Sequence, residues 1–138
     1  MPIAVSRLES FELFAGLSQQ ELGFVAQNCE EKTFPGGATL IQQGQVGKEV
    51  YLLEQGRVRV SRGSSGGHVH VATLDAPTVL GEMASLDPDQ IRTATVEALT
   101  DLRLLSIPIR TFHVLLGVYP VLKANLKQLV SKRGGLVT

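Results

Sequence analysis

The chain has 138 residues, of which 43% are hydrophobic and 19% charged, and its thirteen basic side chains balance thirteen acidic ones. This length predicts one domain spanning residues 1–138, because typical domains contain roughly 100–150 residues. A net charge of zero argues against a dedicated nucleic-acid binder, which carries a basic excess. No apolar run approaches the ~20 residues of a membrane span, and the N-terminus has no signal-peptide pattern. One cysteine cannot form an internal disulfide, which fits a reducing compartment, so we expect a cytoplasmic protein.

A helical region is predicted over residues 1–30. Leu8, Phe11 and Phe14 are spaced as on one helical face, which predicts a short N-terminal helix. Ser18 and Glu21 have the spacing of a capping box, so a second helix is expected to begin there and to end near Asn28.

Short apolar segments separated by glycines follow over residues 31–107. Val58 and Val60 alternate with Arg57 and Arg59, which predicts a strand with the arginines facing water. Similar segments recur before and after the polar turn at residues 64–67. Roughly eight short strands are expected, which predicts a sandwich or barrel.

Two helices are predicted over residues 108–133. The first is interrupted at Gly117, and the second begins at Pro120, which suits the first turn of a helix. In the second helix, Leu122 and Leu126 lie on the side opposite a row of lysines. The expected order is therefore helices, a block of strands, then helices.

The stretch from Gly81 to Arg92 contains the chemistry expected of an anion site. Gly81 is expected to precede a short helical turn whose backbone N–H groups, from about Glu82 to Ala84, attract a phosphate through hydrogen bonds and the helix dipole. Arg92 can add a positive charge and a bidentate fork to two phosphate oxygens. A carboxylate repels a phosphate, so Glu82 needs another partner, and a ribose hydroxyl is a suitable one.

The motif Gly81-Glu82-Met83-Ala84, with Arg92-Thr93 eight positions after Ala84, resembles the phosphate-binding cassette of cyclic nucleotide-binding domains. The resemblance covers almost the whole chain, and places this cassette at residues 81–96. It implies a mainly β fold with flanking helices: a double-stranded β-helix, or jelly-roll-like β-roll, with N-terminal helices and two C-terminal helices. The implied ligand is cAMP or cGMP, with no other cofactor.

The same resemblance implies a role for each residue of the cassette. Glu82 is expected on the ribose 2′-hydroxyl, and Arg92 with the backbone N–H groups on the cyclic phosphate. Thr93 is expected beside the phosphate. Val71 is a candidate for the wall of the base pocket, and Leu126 of the last helix is a candidate for closing over the base.

The expected function is that of a sensor or regulatory module, not an enzyme, in which ligand binding moves the C-terminal helices. Residues 1–101 contain all thirteen acidic side chains and seven basic ones, whereas residues 102–138 contain six basic side chains and no acidic one. The basic helices are therefore expected to meet an effector protein or a second copy of this chain. We expect no DNA-binding domain, since no helix-turn-helix pattern follows the last helix.

Three alternatives remain open at the level of sequence. Arg92 and Glu82 could form an ion pair that only stabilises a loop. A domain of the same fold could have lost its ligand and serve as a protein-interaction scaffold. His68 and His70 share one strand face, as in cupin-like metalloenzymes, but without a nearby carboxylate at the usual spacing we expect no metal site.

Overall fold

The computed structural model describes residues 3–64, 67–86 and 89–133, without the side chains of residues 64, 68, 70 and 71. Three α-helices, eight strands and three 3₁₀ helices are found in these ranges. The α-helices are α1 (Gln19–Gln27), α2 (Ile109–Val118) and α3 (Pro120–Arg133). The strands are β1 (Glu30–Phe34), β2 (Thr39–Ile41), β3 (Glu49–Gln55), β4 (Arg57–Ser64), β5 (Gly67–Asp75), β6 (Thr78–Leu80), β7 (Thr95–Ala98) and β8 (Leu102–Pro108). The 3₁₀ helices are Val5–Arg7, Glu12–Phe14 and Glu82–Leu86.

The strands form two antiparallel four-stranded sheets, in the orders β1-β8-β3-β6 and β2-β7-β4-β5. The sheets face each other, with helices packed against one of them. This arrangement confirms the mainly β class with flanking helices. The strands β4 and β5, before and after the predicted polar turn, pair antiparallel, with Val58 opposite Leu74 and Val60 opposite Ala72.

The strand β3 is buried on both faces of the first sheet, which explains its continuous apolar sequence. Val50 and Leu52 belong to a helical core shared with the α-helices, whereas Tyr51 and Leu53 belong to an inter-sheet core. Successive side chains of a strand point to opposite faces, so a strand covered on both sides needs apolar residues at every position. The strand β4 has one solvent face, and there Arg57 and Arg59 are exposed as predicted.

Gly56 lies where the chain leaves the first sheet for the second. Its backbone has a φ of +113°, and a Cβ atom at this position would lie 2.7 Å from the carbonyl oxygen of Asp101. The strands β3 and β4 therefore meet at a corner between sheets, and only glycine suits both the dihedral angle and the close approach.

The predicted N-terminal helix through Phe14 is wrong in type. The segment forms two separate 3₁₀ helices, and Phe11 between them has an extended backbone. Leu8, Phe11 and Phe14 are nevertheless buried in the helical core. A spacing of three residues also fits the 3₁₀ period of 3.0 residues per turn, so the sequence pattern did not distinguish the two helix types.

The capping box of α1 is confirmed. The Glu21 backbone N–H donates to Ser18 Oγ at 3.1 Å, and the Ser18 N–H donates to Glu21 Oε1 at 2.8 Å. The helix ends at Gln27, with Asn28 as its C-terminal cap.

Replacing Ser18 by Ala should lower the free energy of unfolding by about 1 kcal/mol, because the N–H of Glu21 loses its acceptor. Urea denaturation followed by circular dichroism measures this change. Ser10→Ala is the matched control, since Ser10 is exposed and belongs to no helix cap. An equal loss of stability in both variants would contradict a specific role for the capping box.

Candidate functional site

The side chain of Arg92 is held inside the fold by backbone carbonyls. It is 5% exposed, and it donates from Nη1 to the carbonyl oxygen of Gly81 at 3.0 Å and from Nη2 to that of Glu49 at 2.7 Å. Arg92 lies just after the isolated bridge between Val46 and Ile91, and before β7 begins at Thr95. It is therefore in the loop that leads into this strand.

Arg92 forms no ion pair with any residue in the described ranges. Burial lowers the pKa of Arg92, while electrostatic interactions with Tyr51, Glu82 and Glu49 act in the opposite direction. A guanidinium keeps its proton in proteins even so. The site thus contains a buried positive charge whose hydrogen bonds go to neutral carbonyl groups, an arrangement suited to an anion.

Two glycines make room for this guanidinium. A Cβ atom on Gly47 would lie 2.8 Å from both Cζ and Nε of Arg92, and one on Gly81 would lie 2.5 Å from Nη1. Gly81 also has a φ of +81°, in the left-handed region. Side chains at either position would push Arg92 out of its place.

The 3₁₀ helix Glu82–Leu86 follows Gly81 directly, as the predicted helical turn does. Ala84 is fully buried in the helical core, and Met83 is partly exposed. The Ser85 hydroxyl donates to the Glu82 carbonyl oxygen, and the Ser85 carbonyl oxygen lies 3.2 Å from Nδ1 of His113 in α2. The turn is thereby joined to the first C-terminal helix.

Glu82 is paired with a residue that the sequence analysis did not single out. Its side chain is fully buried, and Oε1 accepts a hydrogen bond from Arg133 Nη1 at 2.6 Å. Arg133, in the last turn of α3, also donates from Nη2 to Thr78 Oγ1 and to the Val79 carbonyl oxygen. These two positions are 51 residues apart, and no local pattern connects them.

The suggested ion pair between Arg92 and Glu82 is therefore not present. The carboxylate of Glu82 is within ion-pair distance of Arg133, whereas the hydrogen bonds of Arg92 go to carbonyl oxygens. The two groups interact only through their electrostatic field. The physical reason is that each is fixed by a different part of the chain, Arg92 by the loop before β7 and Glu82 by α3.

Thr93 follows Arg92 and has a hydroxyl oxygen that is buried. This oxygen has no hydrogen-bond partner among the residues of the described ranges. A buried hydroxyl without a partner costs about 1–3 kcal/mol, so its position next to Arg92 suits contact with a polar ligand.

The remaining predicted residues lie elsewhere or outside the description. Leu126 is 2% exposed and packed in the helical core, so its contact with a base stays a prediction. Val71, His68 and His70 belong to β5, but their side chains lie outside the described residues.

No group of three or more His, Cys, Asp or Glu side chains that could hold a metal occurs in the part of the chain that the structure describes. Over the same residues, no helix has both the length and the apolar character needed to cross a membrane.

Fold and site together define a β-roll with a buried cation bonded to the Gly81 carbonyl and a buried carboxylate at the first residue of the short helix that follows. The family model of the cyclic nucleotide-binding domain matches residues 31–119. The chain belongs to the cyclic nucleotide-binding domain family.

Individual relatives agree with this assignment. The cyclic AMP receptor protein of Thermus thermophilus is 31% identical over 122 residues, covering 88% of this chain and 56% of the relative. The regulatory subunit of the cAMP-dependent protein kinase of Schizosaccharomyces pombe is 31% identical over 112 residues, covering 81% of this chain and 26% of the relative. The chain thus spans only a quarter to about half of the length of these relatives.

A solved structure shows the same fold. The regulatory domain of Toxoplasma gondii PKA, in a co-crystal structure with cAMP, superposes with a TM-score of 0.80 at 25% identity. The match covers 90% of this chain and 47% of that one. The resemblance stated from the sequence is therefore confirmed at the level of family and fold.

Replacing Gly47 by Ala should lower the free energy of unfolding by about 1–3 kcal/mol, because the new methyl group overlaps the buried side chain of Arg92. Gly23→Ala is the matched control: Gly23 lies in α1, and a Cβ atom there meets nothing within 4 Å. This control should raise stability by roughly 0.5–1 kcal/mol through helix propensity. Thermal and urea denaturation of both variants measure the effect, and a neutral Gly47→Ala would contradict the close packing around Arg92.

Proposed function

We propose that this chain binds cAMP or cGMP and acts as a regulatory sensor without catalytic activity. The observation that carries the proposal is the buried guanidinium of Arg92, which has no ion-pair partner in the described ranges. A cyclic phosphate supplies the negative charge that this position lacks, and its two free oxygens match the guanidinium fork. Membership of the family supports this choice of anion.

The groups around Arg92 suit the rest of a nucleotide. Backbone N–H groups of Glu82, Met83 and Ala84 follow the left-handed Gly81, and would add hydrogen bonds to the phosphate. The Thr93 hydroxyl, buried and without a partner in the described ranges, would gain one from the ligand. The carboxylate of Glu82 would accept a hydrogen bond from the ribose 2′-hydroxyl.

The relatives support a cyclic nucleotide as the ligand. The Thermus thermophilus relative is named a cyclic AMP receptor protein, and the Toxoplasma gondii regulatory domain was crystallised with cAMP. A cGMP-dependent protein kinase of Drosophila melanogaster, 39% identical over 83 residues, is a further relative. Both nucleotides are therefore included in the proposal.

Ligand binding is proposed to act on the C-terminal helices through the 3₁₀ helix Glu82–Leu86. This short helix packs through Ala84 into the helical core, and its Ser85 carbonyl oxygen contacts His113 of α2. A phosphate drawn to Arg92 would shift Gly81, whose carbonyl oxygen Arg92 holds. A nucleotide favours only the conformation to which it binds more tightly. The shifted position of this short helix must therefore make better contacts with the nucleotide than the unshifted one.

The basic face of α3 is the proposed surface for a partner. Lys123, Lys127 and Lys132 are exposed on this helix, opposite the buried Leu122 and Leu126. An acidic effector surface would complement these lysines. The acidic part of a second copy of this chain would do the same.

Isothermal titration calorimetry with cAMP and with cGMP tests the proposal. The wild-type chain should bind at least one of them, and Arg92→Ala should weaken binding by about 2–5 kcal/mol, which is roughly 30-fold to several thousand-fold in Kd. Arg92→Lys should recover only part of this loss, because an ammonium group has no bidentate fork.

Arg59→Ala is the matched control for charge. Arg59 is exposed on β4 and forms an ion pair with Glu97 at 3.1 Å, so its loss should leave nucleotide binding within about twofold. Absence of heat and of a thermal shift with either nucleotide at millimolar concentration would contradict the sensor function. That outcome would favour the alternative of a scaffold with the same fold.

A further inference from the structure

Lys32 on β1 and Glu49 at the start of β3 form an ion pair close to Arg92. The Lys32 ammonium group donates to both carboxylate oxygens of Glu49, at 2.7 and 2.8 Å. We propose that Lys32 is a positioning residue for the anion site: it occupies the Glu49 carboxylate, keeps that carboxylate from pairing with Arg92, and so leaves the guanidinium to the ligand. This inference rests on the proposed nucleotide binding and adds to it a residue outside the cassette.

Glu49 already contacts Arg92 through its backbone. Nη2 of Arg92 donates to the Glu49 carbonyl oxygen at 2.7 Å, so a single residue contains both the carbonyl group that holds the guanidinium and a carboxylate. Burial lowers the pKa of Arg92, and the field of the Glu49 carboxylate is one of the interactions that oppose this effect. Rotation about its side-chain bonds would be enough to turn a carboxylate released from Lys32 toward this guanidinium.

Tyr51, two residues after Glu49 on β3, shows that the three charges act at one place. Burial raises the pKa of its hydroxyl, the field of Glu49 acts in the same direction, and the fields of Arg92 and Lys32 act against both. Tyr51 belongs to the inter-sheet core. Charges beside such a core are screened less than charges in water, so a change of partner by Glu49 is felt at Arg92.

The observed pairing leaves the more buried of the two cations without a carboxylate. The side chains of Lys32 and Glu49 are 31% and 25% exposed, whereas Arg92 is 5% exposed. Water can solvate a partly exposed ammonium group, but it does so poorly for a buried guanidinium, which gains more from a carboxylate. Lys32 keeps Glu49 because the strand order β1-β8-β3 directs it across β8 onto this carboxylate.

Removal of Lys32 should therefore weaken nucleotide binding, although Lys32 belongs to no phosphate-binding motif. Without Lys32, Glu49 pairs with Arg92 in a fraction of the molecules, and the apparent affinity falls with the fraction in which Arg92 is still available. Lys32→Met keeps the length of the side chain and removes its charge. Its Kd for cAMP or cGMP should rise about five- to thirtyfold in isothermal titration calorimetry.

The Glu49→Gln background separates this role from simple attraction of the phosphate by Lys32. Glu49→Gln keeps the backbone carbonyl that holds Arg92 and removes the carboxylate. In that background, Lys32→Met should change the Kd by no more than about twofold, because no carboxylate is left to turn to Arg92. A lysine that acted through its own charge on the ligand would cost the same factor in both backgrounds, and this result would overturn the proposal.

Lys48→Met is the matched control for charge. Lys48 is exposed, precedes Glu49 in sequence, and forms no ion pair with any residue of the described ranges. Its Kd should stay within about twofold of the wild-type value. Lys32→Arg should keep binding within about threefold, because a guanidinium can also hold a carboxylate through two hydrogen bonds. Thermal denaturation checks that each variant is folded, and Lys32→Ala replaces Lys32→Met if the latter is not.

A crystal structure of Lys32→Met without nucleotide provides a second readout, which does not depend on ligand binding. The Glu49 carboxylate should lie within about 4 Å of the Arg92 guanidinium, the distance of an ion pair. A carboxylate that stays turned away from Arg92 in this variant would overturn the proposal.

The outcomes distinguish the role of Lys32 from nucleotide binding itself. Weaker binding by Lys32→Met that disappears in the Glu49→Gln background supports the positioning role. Unchanged binding by Lys32→Met, with a wild-type chain that binds, overturns this role and leaves the sensor function intact. If the wild-type chain and all variants fail to bind either nucleotide, the sensor function is wrong and the role of Lys32 is overturned with it.

Discussion

The position of the Arg92 guanidinium is the constraint around which the site is built. Its ends are held by the carbonyl groups of Gly81 and Glu49, and the absence of side chains at Gly47 and Gly81 gives it space. The loop that contains Arg92 is also held by a backbone hydrogen bond, from the N–H of Arg92 to the carbonyl oxygen of Gln45 at 2.9 Å. Because backbone carbonyl dipoles hold the guanidinium, the fold orients this cation before any anion binds. These neutral groups do not cancel its positive charge.

The strand β3 is buried on both faces and lies between the two cores of the domain. Alternate residues of β3 belong to the inter-sheet core and to the helical core, and Ala84 next to the site belongs to the helical core. Close-packed interiors have little free volume, so a displacement of the 3₁₀ helix Glu82–Leu86 is felt by the residues packed against it. The Ser85 carbonyl oxygen, 3.2 Å from Nδ1 of His113, adds a polar contact between this short helix and α2. Glu82 and Arg133 form a second connection, from the site to the end of α3.

Local signals predicted most of the fold. The capping box of Ser18 and Glu21, the alternation in β4 and the restart of a helix at Pro120 depend on residues within a few positions of one another, and all three are confirmed. The prediction of the N-terminal helix was wrong because a spacing of three residues fits both an α-helix and a 3₁₀ helix. For the site, the motif at Gly81 and Arg92 was recognisable, but the pairing of Glu82 was not, since its partner lies 51 residues away.

The sequence by itself determined the family and the order of the elements, because both depend on side-chain type and short spacing. Only the tertiary structure decided which charges meet. Thirteen basic and thirteen acidic side chains allow many pairings, and ion pairing acts through space with no dependence on chain distance. Folding buries Arg92 among backbone carbonyl groups and brings Arg133 to Glu82, so charged side chains of a chain with zero net charge are placed in the interior by contacts between distant segments.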